Sequence, residues 1–455
     1  MTQERAETAT IVGPDFENDL MMTLTDSDAR HLLRRAAFGG LDSEVEELIG
    51  KSRGQAVALA VSQAGYTSHL DVPHADAPEN NLHSQRKAMQ RWWLDVMAST
   101  PAPLVEKLVY FWHSHFACTA DRVRDWRNMR DQHAQFREYG LGPFEPLLEA
   151  ISFGAAMLID LDNASNVAGF EQENFARELM ELYTIGNGMF SEAEVTAMAR
   201  AWTGHNLKNG AQPPRYQFQP HLHDESDKTL FGITANWDAP QTISELVNGV
   251  RKDQTAWFLA TKLWREFGDP AWASAELITH LADVWKAHNS TAWDVLEALF
   301  LRDEFWAPER RYSVVKQPIA WVVEMERRTG VRNSESRLED RLKVMGHQPF
   351  LPPSVAGWGH NEEWLSSTAL LSRARLARVM SPEVQETGIF EGISSDNTNS
   401  AIERILTFFG VPDASTQTRE ALELWHISAG DSMTDHYTER EAFRVGALLP
   451  EVNLA

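Results

Sequence analysis

Apolar residues recur at helical spacing along almost the whole chain, and one stretch breaks that rhythm. The pattern is decisive because residues three and four apart share a helix face, whereas a strand alternates faces. Each apolar run carries start and stop signals. In LTDSDARHLLRRAAFGG, Thr25 or Asp26 can cap a helix, Asp28 suits its first turn and Gly39-Gly40 stops it. LDSEVEELIG repeats the scheme, with Asp42 or Ser43 as cap, Val45, Leu48 and Ile49 as the stripe and Gly50 as stop. Pro101 and Pro103 separate two long helices, SQRKAMQRWWLDVMAST and PAPLVEKLVYFWHSHFACTA. NMRDQHAQFREYGLG reads as another helix and FEPLLEAISFGAAMLIDL as one more. Ser191 and Glu194 form a capping box at the head of SEAEVTAMARAWTG. Further helices are expected at about 241–267, 271–288, 291–303, 313–329 and 335–346, with about three more in the tail.

The break comes near 205–240. There Gly, Pro and Asn punctuate the chain, and Tyr216 and Phe218 alternate with Gln217 and Gln219, as in a short strand. Residues 66–82, DNASNVAGF and GHQPFLPPSVAGWGHNEEW read as loops. No fixed-period repeat occurs, which argues against a solenoid. The expected fold is mainly α, a multi-helix orthogonal array with an irregular loop and short β-hairpin insertion near 205–240. Residues 1–22 read as a flexible lead, 23–380 as the main helical domain and 381–455 as a helical extension packed on it.

Composition narrows the function classes. The 455 residues carry a formal charge of −23, which repels phosphate backbones and disfavours nucleic acid as a partner. The single cysteine, Cys118, excludes an intramolecular disulfide and a multi-cysteine zinc site, and reads as a small buried apolar residue. The first twenty residues lack the basic start and apolar stretch of an export signal, so the chain as written reads as soluble and cytoplasmic, with export allowed if a signal has been removed. No window is long and apolar enough to span a membrane. Walker, GxGxxG, HExxH and GxSxG patterns are missing, so no nucleotide cofactor is expected. Of the 16 tryptophans, Trp92, Trp93, Trp112, Trp257 and Trp264 fit the core. Trp202, Trp237, Trp358 and Trp364 stand at helix ends or in loops, where an exposed indole could stack on a flat ligand or anchor the loop.

The densest polar face lies in ENFARELMELYTIGNG. On a helical wheel Glu173, Asn174, Arg177, Glu178, Glu181 and Thr184 share one arc, and Arg177 stands four residues from both Glu173 and Glu181. The arc is either a solvated ladder of weak ion pairs or the wall of a site whose crowded carboxylates serve as acid and base. His113 and His115 in FWHSHF point opposite ways on a helix and cannot grip one ion together. In HLHDES an extended backbone would place His221 and His223 on one face, with Asp224 beside them, allowing a divalent metal. DLDNASN fails the spacing of a calcium loop, so Asp162 and Asn163 read first as turn and capping residues.

Six phrases in order, HLLRRAAFGG, KLVYFWHSHFA, LDNASN with ENFARELMELYTIGNG, SEAEVTAMARAWTG, HDESDKTLFG and QPFLPPSVAGWG, resemble the bacterial family catalogued as domain of unknown function 1800. The resemblance covers about residues 25–380. It implies a largely helical protein, frequent export by the twin-arginine route, and a sulfatase-like partner of the domain of unknown function 1501 family. It supplies no established catalytic residue. The sequence departs from relatives in showing no export signal, in TGHN, where His205 replaces a frequent Trp, and in FEQENF.

Weighted by that resemblance, the leading expectation is an enzyme with a polar cleft, doing acid–base chemistry on a polar, carbohydrate-like substrate. Glu173, Arg177, Glu178, Glu181, His113 and His115 are its candidate catalytic residues. Asn163, Asn174, Arg200, Trp202, His223, Asp224 and Lys228 are its candidate substrate contacts. The alternatives are a non-catalytic helical scaffold for a partner enzyme, and a metal-dependent hydrolase centred on His221, His223 and Asp224.

Overall fold

The computed structural model describes residues 22–65, 82–287, 289–331, 338–432 and 434–455. The expected lead before residue 22, the loop at 66–81 and the start of the helix expected at 335 lie outside the described residues. Twenty-two α-helices and two small antiparallel sheets are present among the described residues, so the fold is mainly α. One continuous apolar core runs from Leu24 to Val452. Burying each large apolar side chain there contributes about 1.5–3 kcal/mol.

Local signals set most helix starts. Thr25 Oγ1 accepts from Asp28 N at 3.2 Å, and the Asp28 carboxylate accepts from Thr25 N at 2.9 Å, so the helix Asp26–Ala36 begins in a full capping box. Ser191 and Glu194 do the same for Glu192–Ala201. Pro103 opens Pro103–His115 at a position whose N–H has no helical partner. The helix Asp42–Leu48 differs from expectation. Its cap position is Leu41, and Glu44 reaches back to accept the Leu41 N–H at 2.9 Å, so neither Asp42 nor Ser43 is the cap.

Longer expectations divide. FEPLLEAISFGAAMLIDL forms two helices, Phe144–Ser152 and Ala155–Asp160, with Gly154 between them. The stretch expected at 241–267 forms Ala239–Val247 and Lys252–Leu263, and the latter continues into a π-helical turn at Trp264–Gly268. The tail holds Ser367–Glu386, Thr398–Phe408, Thr416–Ser432 and Asp435–Gly446. The first of these runs through residue 380 and packs on the last.

The insertion contains two ladders. β1 (His205–Leu207) pairs with β2 (Tyr216–Phe218), with His205 opposite Phe218. β3 (Lys228–Leu230) pairs with β4 (Ile233–Ala235), with Lys228 opposite Ala235. Between β2 and β3, Pro220–Leu222 forms a short 3₁₀ turn, so His221 and His223 do not share a strand face. Trp202, Trp237, Trp358 and Trp364 are all buried and anchor their segments. Trp257 is 48% exposed, because Ala256, Leu259, Ala260 and Leu263 form the inward face of its helix. Among the described residues no helix is long and apolar enough to cross a membrane.

Candidate functional site

Two arginines close the first helix. The last turn of Asp26–Ala36 favours cations, since its free carbonyls carry partial negative charge. Arg34 and Arg35 are nevertheless only 4% and 2% exposed. Arg34 Nη1 donates to Tyr312 Oη at 3.3 Å, and its guanidinium lies 4.2 Å from the centre of that ring. Arg35 Nη2 donates to the Arg310 carbonyl at 2.8 Å. Nε and Nη2 of Arg34, and Nε and Nη1 of Arg35, have no hydrogen-bond partner among the described residues. A buried N–H left without a partner costs about 1–3 kcal/mol, so such groups call for an acceptor.

These arginines line a cavity of about 50 Å³. That is room for about four waters, or for one carboxylate, sulfate or phosphate group. Five cationic side chains face it, Arg34, Arg35, Lys107, Arg265 and Lys316, against the carboxylates of Glu266 and Glu324. Gln317, Ile319 and Ala320 bring the partly positive start of the helix Pro318–Thr329 to the same wall. Gly39 lets the first helix approach. Its φ is +73°, and a Cβ there would stand 2.3 Å from Glu324 Oε1.

The electrostatics follow from burial. Burial pushes the Lys107 ammonium down to about 8, while Nζ donates to the carbonyls of Arg34 and Arg35 at 3.3 and 2.8 Å. Burial likewise brings Lys316 to about 8, against the pull of Glu324 at 2.6 Å. Burial would raise the Glu324 carboxyl, but Lys316 and Arg328 outweigh it and hold it below its ordinary value. Glu324 is thus already matched by two cations. Glu266 sits in the π-helical turn, accepts from Gln317 Nε2 at 3.2 Å and lies 3.5 Å from His360 Nδ1. π-Helical turns are rare and recur at functional sites.

A second cavity adjoins the first through Arg265, Glu266 and His360, and adds Ser114, His115 and Lys262. Burial lowers Lys262 to about 8. His115 Nε2 donates to the Tyr183 carbonyl at 3.1 Å, leaving the buried Nδ1 lone pair without a partner. Burial keeps this imidazole neutral.

His115 is therefore the sequence candidate that reaches the cavities. His113 does not. Its Nε2 accepts from Phe350 N at 3.0 Å within a cluster of Trp93, His133 and Trp358, and burial lowers it to about 3. The helix Glu173–Glu181 turns its polar arc to the next helix and to solvent. Arg177 pairs with Glu192 at 2.6 Å and stands 3.8 Å from Glu173, whose other oxygen accepts from Thr196. Asn174 is exposed, and Glu178 and Glu181 are half-buried. Burial, then Glu181, raises the Glu178 carboxyl. Neither cavity is lined by this helix. Thr184 is buried and donates to the Leu179 carbonyl.

The other candidates are tied into the scaffold. Asn163 Nδ2 donates to the His205 carbonyl at 2.9 Å, and Trp202 Nε1 donates to Thr242 at 3.1 Å. Arg200 holds Asp224 at 2.7 Å. Burial would raise that carboxyl, yet Arg200 and Ser226 hold it well below the carboxylate range. Lys228 is buried, donating to the carbonyls of Asp224 and Trp237 and to Asn236. His221 is exposed. The expected metal trio of His221, His223 and Asp224 does not converge. Among the described residues, the group whose ligand atoms all lie within 4.8 Å of one another is His205, His223 and Asp238.

Arg34, Arg35, Lys107, Lys262 and Lys316 were not singled out from sequence. For Arg34 and Arg35 the signal is a charged side chain on the inward stripe of a helix, as in HLLRRAAF, where they follow Leu32 and Leu33, whereas Lys316 lies just ahead of the helix Pro318–Thr329. A family model described as a protein of unknown function (DUF1800) matches residues 31–451. Neither the curated proteins nor the solved structures contain a match to the chain.

Proposed function

The chain belongs to the DUF1800 family, and we propose from its own geometry that it is an enzyme taking the anionic end of a polar, carbohydrate-like substrate into the Arg34–Arg35 cavity. The observation that carries this reading is the pair of buried arginines, each with guanidinium N–H groups lacking partners, that line a cavity with five cationic and two acidic side chains. In a chain of net charge −23, such a cavity is a local reversal of sign.

The cavity accommodates a charged group, while the rest of a substrate extends past exposed Arg265 and half-buried His360 at its mouth. Two guanidinium groups favour planar or tetrahedral oxyanions, which accept several directed hydrogen bonds. Lys107 and Lys262 change charge close to neutral pH, as acid–base catalysis requires, and neutral His115 offers an acceptor in the cavity that Lys262 lines. The sulfatase-like partner implied by the resemblance is compatible with this reading, since a sulfate ester is such an anion.

Calorimetric titration with sulfate, phosphate and glucuronate tests the binding step. At least one is expected to bind one to one, with an affinity at least about tenfold weaker in Arg35→Met, the loss typical of one charge-assisted contact. Equal affinity in wild type and variant, or no binding by any of the three, would overturn the reading. Turnover is then sought with uronic-acid and sulfated oligosaccharides, comparing wild type with Lys107→Met. Product that forms equally fast in both would remove Lys107 from the mechanism.

A further inference from the structure

A second site lies in the insertion, away from the cationic cavity. We propose that His205, His223 and Asp238 bind one divalent first-row transition-metal ion.

The argument begins with Gly204. Its φ is +77°, and a Cβ there would stand 2.8 Å from the Gln219 carbonyl and 3.1 Å from His223 N. Glycine therefore lets the 219–223 segment close onto the start of β1, bringing His223 against His205. The rings are 6.2 Å apart and nearly perpendicular. Asp238 enters from a third element, as the N-cap of Ala239–Val247. Lys228 donates to the Trp237 carbonyl at 2.9 Å and so fixes the backbone that carries Asp238.

Each imidazole is oriented as a ligand. His223 Nδ1 donates to the Thr203 carbonyl at 2.8 Å, which fixes the tautomer and leaves the Nε2 lone pair available. His205 Nδ1 lies 3.0 Å from Tyr216 Oη. A phenol hydroxyl can donate or accept, so Tyr216 serves the tautomer that frees His205 Nε2 for an ion. That Nε2 now lies 2.7 Å from Asp238 Oδ1. Oδ1 also accepts from Ala239 N at 2.8 Å, and Oδ2 accepts no hydrogen bond among the described residues. The ring of His205 is held by Phe153, Trp202 and Phe218, with centres 5.5, 5.6 and 4.6 Å away.

Ligands at 2.0–2.2 Å in a tetrahedron stand about 3.4 Å apart. The observed spread of 4.8 Å or less needs only small side-chain rotations to reach that. Two imidazoles and one carboxylate suit zinc and ferrous iron rather than magnesium or calcium. The Asp238 side chain is 42% exposed, so a fourth position is open to water.

The test uses the full chain, freed of any affinity tag and stripped by chelator, titrated with Zn²⁺ and separately with Co²⁺. One Zn²⁺ per chain is expected, and Co²⁺ should develop visible absorption. Both should weaken by at least about tenfold in His223→Ala and in Asp238→Asn, and stay unchanged in His221→Ala. Both substituted groups are part-exposed, and far-ultraviolet dichroism checks that the variants fold. Absence of one-to-one binding would overturn the proposal. So would unchanged binding in either folded variant, because the site needs all three ligands. If His223→Ala fails to fold, His223→Gln takes its place and the same outcomes decide.

Discussion

Arg177 shows how far a single residue can be read from sequence. Its helical spacing offers Glu173 and Glu181, but in the fold it takes Glu192 of the next helix at 2.6 Å, and Glu173 remains 3.8 Å away. Periodicity correctly gives the arc, but the facing partner is a tertiary fact. Lys107 shows the reverse case. It reads as an ordinary charge in PLVEKLVYF, and only burial in the fold sets it apart, lowering it to about 8. That shift has a signed consequence. Lys107 and Lys316 are charged below about 8 and neutral above it, so an anion in the cavity binds the low-pH form more tightly. Affinity for the best of sulfate, phosphate and glucuronate should fall by about tenfold for each coupled lysine between pH 7 and pH 9. Calorimetry at three pH values, in two buffers of different ionisation enthalpy, measures it. A pH-independent affinity would mean that neither lysine faces the anion.

At the scale of elements, starts were legible and convergences were not. Thr25, Ser191 and Pro103 begin helices as expected because capping involves groups within three residues of one another. The cavity is built from residues 34, 107, 266 and 316, on four separate segments, and no local pattern links them. Gly39 is where both levels meet. It reads as a helix stop, and it is also the surface on which Glu324 rests. Gly50 has the same backbone sense, φ +76°, but nothing within 4 Å of a would-be Cβ. Gly50→Ala should therefore cost only the left-handed backbone penalty of about 1–2 kcal/mol. Gly39→Ala adds the displacement of a buried carboxylate held by Lys316 and Arg328, and should cost distinctly more. Urea unfolding of both variants makes the comparison, and equal losses would show that Gly39 is only a helix stop.

At the scale of the whole molecule, the buried histidines act together. His31, His113, His115, His133 and His347 are all fully buried, and burial lowers each below its ordinary 6.5. None could be placed from sequence, because a histidine within an apolar run reads equally as core or as ligand. The sign follows from the unfolded state, which takes up protons near 6.5 while the folded state refuses them. The stability these groups contribute is complete above 6.5 and is lost as pH falls toward the folded values, about 3 for His113. Each contributes about 1.4 kcal/mol per pH unit within that window. Asp160 works in the opposite direction. Burial raises its carboxyl to about 6, so its contribution is complete below its ordinary value and is lost as pH rises through 6. Burial also raises Glu149 and Glu178, but five fully buried histidines against these three carboxylates still leave a net loss between pH 6.5 and 5, before most other carboxylates titrate. The thermal midpoint should therefore fall steadily from pH 7 to pH 5. Asp160→Asn should raise it at pH 8 and have less effect at pH 5, where the native carboxyl is already mostly protonated. A midpoint that stays level or rises from pH 7 to pH 5 would mean that the imidazoles are not held neutral in the core.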